Sequence, residues 1–388
     1  MKRFIILGST GSIGSSSLDV IDANPAHFTV VGLGAGSSVE KIYSQIVRFR
    51  PQAVAMGNPD AACELRARVG PTTKVYEGVE GINAMIRDLD ADGVINGLVG
   101  SVGLLPTITA LENGKDVLIA NKETLVMGGS IVMDTARHHG RRIVPIDSEM
   151  SAIYQCLKGE AARVVSRLVL TASGGPFVDV PLAELNRATF TQALNHPTWI
   201  MGTKNTIDSA TMMNKGLEVI EASFLFGIPG ERIDVTIHRN SLAHSFVEFI
   251  DGSFLCQVSR PDMRLAIQYA MTDPERLPSP YGGLDFTMPF YLTFEPPDTR
   301  RFPCLRLAYE ALARGGTAPA AMNGANEQAV KAFEAGYISF MDIPALIETV
   351  VHNHTFIPEP AIKDLLETDE RSKRAIQEMI SQKSDKTL

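Results

Sequence analysis

The sequence predicts an α/β chain with an N-terminal parallel sheet, a central α+β domain and a C-terminal helical bundle, and three observations predict it. From residue 1 to about 147, short apolar runs alternate with helical patterns: RFIILG, FTVVGLGAG, QAVAM, GVINGLVG, DVLIAN and RRIVPID. From about 148 this rhythm gives way to a helix, a strand ending in glycines and a hairpin pattern. Toward the C-terminus, Ile343, Leu346, Ile347, Val350 and Val351 recur at helical spacing, the stripe of a buried helix face.

The apolar runs of the first part are nearly continuous rather than alternating, as expected of parallel strands covered by helices on both faces. In such a sheet a ligand sits at the carboxyl ends of the strands. The start MKRFIIL carries two basic residues and an apolar run, but glycines follow at once and no small-residue cleavage site is evident, so it reads as a first strand. Beyond 147, SEMSAIYQCL reads as a helix and VSRLVLTASGG as a strand. IDVTIHRNSLAHSFVEFI, followed by the turn DGS and FLCQVS, then reads as a hairpin. Residues 274–303 are rich in proline, which suits a linker or strap better than a helix. The expected division is therefore 1–147, 148–273, a linker at 274–303, and 304–388, with a polar tail fraying after about 380.

At 388 residues the chain exceeds the size at which one core stops growing. Hydrophobic residues make up 45% and charged residues 21%, which excludes a disordered chain, and no apolar run is long enough to span a bilayer. The net charge of −8, with no basic stripe, argues against nucleic acid as partner. Cys63, Cys156, Cys256 and Cys304 are scattered without a CxxC or a zinc-ligand spacing, so a reducing, cytoplasmic location is expected.

GSTGSIG, Gly8 to Gly14, lies between the strand FIIL and a helix containing Leu18, Val20 and Ile21. In that context glycines let the backbone approach a pyrophosphate, which the amides of Thr10, Gly11, Ser12 and Ile13 would hold at the helix N-terminus. A Rossmann-like nucleotide-binding sheet is the expectation, the alternative being a merely tight strand-to-helix turn. The second strand ends in Gly36-Ser37-Ser38 with no carboxylate to take a ribose 2′-hydroxyl, which favours NADPH over NADH. Ser37, Ser38 and nearby Lys41 can meet a 2′-phosphate. Asn121, Lys122 and Glu123 follow the strand DVLIA and fall on the ligand edge of the sheet, unless they form a solvated loop pair.

Asp147 and Glu149 lie two apart after RRIVPI. In an extended segment they would face one side and share a divalent ion; alternatively Asp147 or Ser148 caps the helix that follows, with Glu149 in its first turn. In NKGLEVIEA, Asn214 and Lys215 fall four and three residues before Glu218, hence on one helix face. The bland reading there is a surface Lys-Glu pair. Three carboxylates, Asp147, Glu149 and Glu218, would form an oxygen site for Mg2+ or Mn2+ rather than zinc.

Residues 196–222 gather His196, the chain's only tryptophan Trp199, Lys204, Ser209, Asn214, Lys215 and Glu218, a set suited to an anion bearing hydroxyl groups. Ser173, before two glycines, offers another phosphate grip, although Ser-Gly-Gly turns are common. His196 precedes a proline and so belongs to a loop, where a lone histidine is more often structural.

Taken in order, GSTGSIG, NKE, DSE, SGGPF, HPTWIMG and SATMMNKGLE resemble the 1-deoxy-D-xylulose 5-phosphate reductoisomerase family, with NGANEQAVKAF extending the resemblance into the helical part. The resemblance implies an NADPH-dependent enzyme that isomerises and reduces its ketose phosphate to 2-C-methyl-D-erythritol 4-phosphate, acting as a homodimer. It implies NADPH contacts at Thr10, Gly11, Ser12, Ile13, Gly36, Asn121, Glu123 and Gly202, and metal ligands at Asp147, Glu149 and Glu218. Substrate would meet Lys122, Ser148, Glu149, Ser173, His196, Trp199, Ser209, Asn214, Lys215 and Glu218. Lys122, Glu149 and Glu218 would be the catalytic groups, and the segment near 196–204 a lid over a central catalytic domain. Two departures stand out: Ser37 where a basic residue is frequent, and HRNSLAHS in place of HPQSVIHS. The residues alone leave open a simple dehydrogenase acting on a hydroxy acid or semialdehyde; a nucleotide-sensing regulator lacks the basic DNA-reading element it needs.

Overall fold

The computed structural model describes residues 1–71, 73–199 and 201–385. By packing, the chain divides into two units, neither of them a continuous segment. The first comprises Met1–Thr124, Ser130–Ser151 and Asp262–Gly282; the second comprises Leu125–Gly129, Ala152–Pro261 and Gly283–Leu388.

The first unit is built on seven parallel strands: β1 Lys2–Leu7, β2 Phe28–Ala35, β3 Ala53–Met56, β4 Lys74–Glu77, β5 Gly93–Asn96, β6 Asp116–Ile119 and β7 Ile143–Pro145. Their order is β4-β3-β2-β1-β5-β6-β7. The strand order reverses beside β1, between β2 and β5, so the crevice of the sheet opens at the carboxyl end of β1, where GSTGSIG lies. Six of these strands coincide with the expected apolar runs. The seventh, β4, is KVYE, whose Lys74 and Glu77 are exposed at the sheet edge. An edge strand need bury little, and so it shows no apolar run.

Part of the proline-rich stretch also belongs to this unit. The helix Met263–Thr272, capped by Asp262 accepting from the Arg264 amide at 3.0 Å, packs on the helix Ser12–Ala23. Lys2 Nζ donates to the carbonyls of Met271 at 2.9 Å and Asp273 at 3.2 Å, satisfying the end of that helix.

The second unit contains a four-stranded sheet: β8 Val165–Ala172, β9 Ile233–Ile237, β10 Ala243–Phe249 and β11 Phe254–Val258, in the order β11-β10-β8-β9. The expected antiparallel hairpin forms from AHSFVEF and FLCQV alone, β10 with β11, whereas IDVTI, expected in its first arm, is a separate strand β9 that runs parallel to β8. Thr203–Ala210 and Met213–Phe226 are helices, and the bundle Pro303–Arg314, Ala318–Glu334, Asp342–Asn353 and Ile362–Asp385 completes the unit. All five residues of the predicted stripe in Asp342–Asn353 are buried; each such side chain contributes roughly 1.5–3 kcal/mol. The last helix continues to Asp385, so the tail expected to fray after about 380 is helical that far, and 386–388 lie outside the described residues. Among the described residues no helix is long and apolar enough to cross a membrane.

Candidate active site

At the carboxyl end of β1 the chain turns through Gly8–Gly11 into the helix Ser12–Ala23, with Gly11 at its N-cap. A β-carbon on Gly14 would lie 2.3 Å from Ser9 Cα and 2.4 Å from the Gly8 carbonyl oxygen, so only glycine lets the helix start this close to the strand. This is the close helix-to-strand packing that the last glycine of a dinucleotide-binding loop allows. Thr10, Gly11, Ser12 and Ile13 all lie on it. Gly36 follows β2 with open space around it, and Ser37 and Ser38 are exposed before the helix Val39–Phe49.

Asn121, Lys122 and Glu123 begin the helix Lys122–His138 beyond β6, and all three are buried. A solvated loop pair is therefore excluded. Asn121 is the N-cap: its Oδ1 accepts from the Thr124 amide at 3.0 Å, and its Nδ2 donates to the carbonyls of Leu98 and Gly100 and to Glu123 Oε2 at 2.9–3.0 Å. Lys122 Nζ lies 2.6 Å from Asp147 Oδ2, with only 7% and 17% of the two side chains exposed.

The geometry around Asp147 corrects one expectation. Ser148–Cys156 is a helix from its first residue, so Asp147 and Glu149 do not share the side of an extended segment. Asp147 precedes the helix, accepting the Ser151 amide on its carbonyl at 2.8 Å and the Ser148 amide on Oδ1 at 3.1 Å. Glu149 occupies the first turn and accepts from Ser148 Oγ at 2.6 Å. The helix turn nevertheless brings one oxygen of each carboxylate within 4.8 Å of the other. The helix N-terminus favours the negative charge there, and Lys122 neutralises part of it.

In the second unit the predicted substrate residues form two groups. The first centres on His196, whose Nε2 lies 3.0 Å from Ser173 Oγ and 3.1 Å from Ser209 Oγ. Its Nδ1 accepts from the amides of Thr198 at 3.1 Å and Trp199 at 2.9 Å. Two donors on Nδ1 leave the proton on Nε2, so the ring is neutral and presents an N–H toward the serines. Gly175 permits this cluster: its φ is +69° and an added β-carbon would meet the Ser209 carbonyl at 2.6 Å.

The second group lies on the helix Met213–Phe226. Asn214 Nδ2 donates to Glu218 Oε1 at 2.5 Å, and the Lys215 ammonium pairs with Glu218 Oε2. Lys215 and Glu218 are buried, which excludes the surface-pair reading. The helix is entered through Met212 at φ +60°, a left-handed conformation costing roughly 1–2 kcal/mol. Lys204, read from sequence as able to neutralise an anion, pairs with buried Asp208 at 2.7 Å, and Asp208 also accepts from Asn326 at 2.9 Å. This second role of NGANEQAVKAF carried no sequence signal, since a buried Asp-Asn bond depends on helices far apart in the chain. Gly202 is the N-cap of Thr203–Ala210, and Ile200 of the expected lid lies outside the described residues.

Trp199 is half-buried with its ring 6.3 Å from that of His244, which bonds Ser259 Oγ at 3.0 Å. Burial lowers the basicity of both His196 and His244 to about 4. In an unfolded chain each would titrate near about 6.5. As pH falls, the unfolded chain therefore takes up these protons first. The stability they favour is complete above about pH 6.5 and is lost as pH drops toward about 4. The thermal midpoint should fall across that window; a midpoint constant from about pH 6.5 to about 4.5 would contradict the neutral-ring assignment.

Family models described as 1-deoxy-D-xylulose 5-phosphate reductoisomerase match residues 4–129, with its C-terminal domain models matching 143–226 and 258–375. The 1-deoxy-D-xylulose 5-phosphate reductoisomerase of Geobacter metallireducens is 48% identical over 381 residues, covering 98% of this chain and 99% of that protein. A Bacillus cereus protein of the same name, numbered 1, is 47% identical over 383 residues, covering 99% and 100%. Among solved structures, a DOX-P reductoisomerase in complex with NADPH, fosmidomycin and magnesium superposes with a TM-score of 0.93 at 38% identity, covering 98% of each chain. The Zymomonas mobilis reductoisomerase with NADPH gives 0.90 at 38%, covering 98% and 99%. Matched by these models and nearly half identical to these relatives over almost its whole length, this chain belongs to the 1-deoxy-D-xylulose 5-phosphate reductoisomerase family.

Proposed function

We propose that the residues described above carry the family reaction: NADPH- and divalent-metal-dependent isomerisation and reduction of 1-deoxy-D-xylulose 5-phosphate to 2-C-methyl-D-erythritol 4-phosphate, a step toward isoprenoids. The observation that carries this reading is the Asp147–Glu149 pair with Lys122 against it. Two carboxylate oxygens within 4.8 Å are the hard donor set that Mg2+ or Mn2+ takes, which a dehydrogenase of simple hydroxy acids has no use for. Glu218 supplies the third carboxylate.

When bound, the metal polarises the ketose oxygens and NADPH supplies the hydride. The chain's own groups do the rest. Thr10, Gly11, Ser12 and Ile13 offer amides to the pyrophosphate, while Gly36, Asn121, Glu123 and Gly202 frame the remainder of the nucleotide. Ser173, Ser209, Asn214, Lys215 and the Nε2–H of His196 hold phosphate and hydroxyl groups, and Ser148 orients Glu149 through its hydroxyl. Lys122, able to donate from Nζ, and Glu149, able to accept, move the protons of the isomerisation. Trp199 closes as apolar cover within the lid at 196–204 and excludes water.

In domain terms, 1–147 binds NADPH, 148–273 binds metal and substrate, 274–303 links, and 304–388 is the helical domain. NADPH consumption with the ketose phosphate and Mn2+, abolished by chelation, tests this function. Metal-independent turnover of a hydroxy acid or semialdehyde in its place would overturn it.

A cytoplasmic location is supported by four cysteines that are all free thiols. A homodimer is supported by β11, an edge strand whose Phe254, Leu255 and Val258 are exposed at 47%, 46% and 36%. Leu255→Lys should shift the sedimentation of the wild type from dimer to monomer; a monomeric wild type, or an unshifted variant, would refute pairing through this edge.

A further inference from the structure

His238 follows β9 and none of its surface is exposed. Its Nε2 accepts from the amides of Leu242 at 3.2 Å and Ala243 at 3.1 Å, so the proton sits on Nδ1, which donates to the Thr293 carbonyl at 2.8 Å. The ring stacks on Phe294 at 4.7 Å, and its own amide donates to the carbonyl of Ala172, the residue before Ser173, at 2.7 Å. The loop closed by this ring passes through Ser241 at φ +51°, a conformation that persists only where its surroundings hold it.

That loop has two outputs. The Arg239 carbonyl accepts from Thr198 Oγ1 at 3.3 Å, and Leu242 and Ala243 lead directly into His244, whose ring faces Trp199. Thr198 and Trp199 are the residues whose amides lock the tautomer of His196. One buried imidazole thus fixes the backbone on which the Thr198–Trp199 segment rests, through the two amides that donate to its Nε2. Nothing in the reaction itself calls on His238, and the sequence marks it only as the first residue of HRNSLAHS.

We propose that His238 is a positioning residue that presets the Thr198–Trp199 segment, and through it His196, for capture of the substrate phosphate. The proposal rests on His196 being a substrate group, but its first readout does not. Trp199 is the chain's only tryptophan, so fluorescence excited selectively in the tryptophan band reports this segment alone. His238→Asn keeps a donor where Nδ1 stands and removes the acceptor of Leu242 and Ala243. It should shift Trp199 emission to the red, increase its quenching by acrylamide and raise KM for the ketose phosphate about tenfold, leaving KM for NADPH unchanged. His238→Gln places an amide oxygen where Nε2 stands and should restore both emission and KM. Should the asparagine variant not fold, Thr198→Val, which removes only the bond to Arg239, should give the same emission shift and a several-fold rise in KM. Wild-type emission and KM in a folded His238→Asn or in Thr198→Val would overturn the proposal, as would equal impairment by Asn and Gln, which would leave only ring packing. Emission changes in the variants, with a wild type that does not turn over the ketose phosphate, would refute the proposed reaction rather than the positioning role.

Discussion

Glu218→Gln should reduce turnover by about a thousandfold or more while leaving NADPH affinity unchanged. The substitution preserves volume and keeps an oxygen for Asn214, but it removes the charge that a divalent ion needs from its ligand. It also leaves the Lys215 ammonium, buried at 4% exposure, facing an amide in place of a carboxylate. A loss of about 1–3 kcal/mol of stability follows from that mismatch, less than removal of the whole side chain would cause. Two measurements separate chemistry from folding. The variant should keep its far-UV circular dichroism and a cooperative melt. Mn2+ at about 100 times its Kd should stabilise the wild type by about 2.7 kcal/mol and the variant far less. Full turnover, or undiminished stabilisation by Mn2+, would remove Glu218 from the metal site.

Gly14→Ala should weaken NADPH binding by about a hundredfold or more and lower the thermal midpoint. The three atoms nearest the added methyl are Ser9 Cα at 2.3 Å, Gly8 O at 2.4 Å and Ser9 C at 2.6 Å, all backbone, so no side chain can swing aside. Relief comes only by moving the helix Ser12–Ala23 off β1. That helix is held by buried Leu18, Val20 and Ile21, and overpacking of this kind costs about 1–3 kcal/mol. The same movement withdraws the amides of Thr10 to Ile13 from the pyrophosphate. Gly70→Ala is the control: it has open space and no positive φ, and should change neither stability nor NADPH affinity. Calorimetric titration of NADPH into both variants checks the pair, and equal affinities would refute the phosphate-loop assignment.

The residues differ in how far their sequence reported their place. Strands β1, β2, β3, β5, β6 and β7 were legible because burial on both faces demands continuous apolar runs, whereas β4 escaped because an edge strand carries no such demand. The helix face joining Asn214, Lys215 and Glu218 followed from spacing alone, because three- and four-residue separations are neighbours on any helix. Asp147 and Glu149 meet at a helix start, the second of the two arrangements their spacing allows. Extended backbone and a helix start can both bring residues two apart together, and two-residue spacing does not tell them apart. Burial was not legible at all for Lys122, Lys215 and Glu218, each of which reads locally as a surface charge.

By itself, then, the sequence determined the order of elements and the motif content, because strand, helix and phosphate-loop signals are local in period and spacing. Tertiary structure alone decided which proton the buried histidines carry, that Asp208 beside Lys204 is held by Asn326, and how His238 reaches the Thr198–Trp199 segment. The physical reason is that the short-range amide bonds to the two rings form only when their loops take one conformation, while Asp208 is held by Asn326, 118 residues on, and His238 by the Thr293 carbonyl, 55 residues on. Neither loop conformation nor such distant contact leaves a trace in the spacing of residues along the chain.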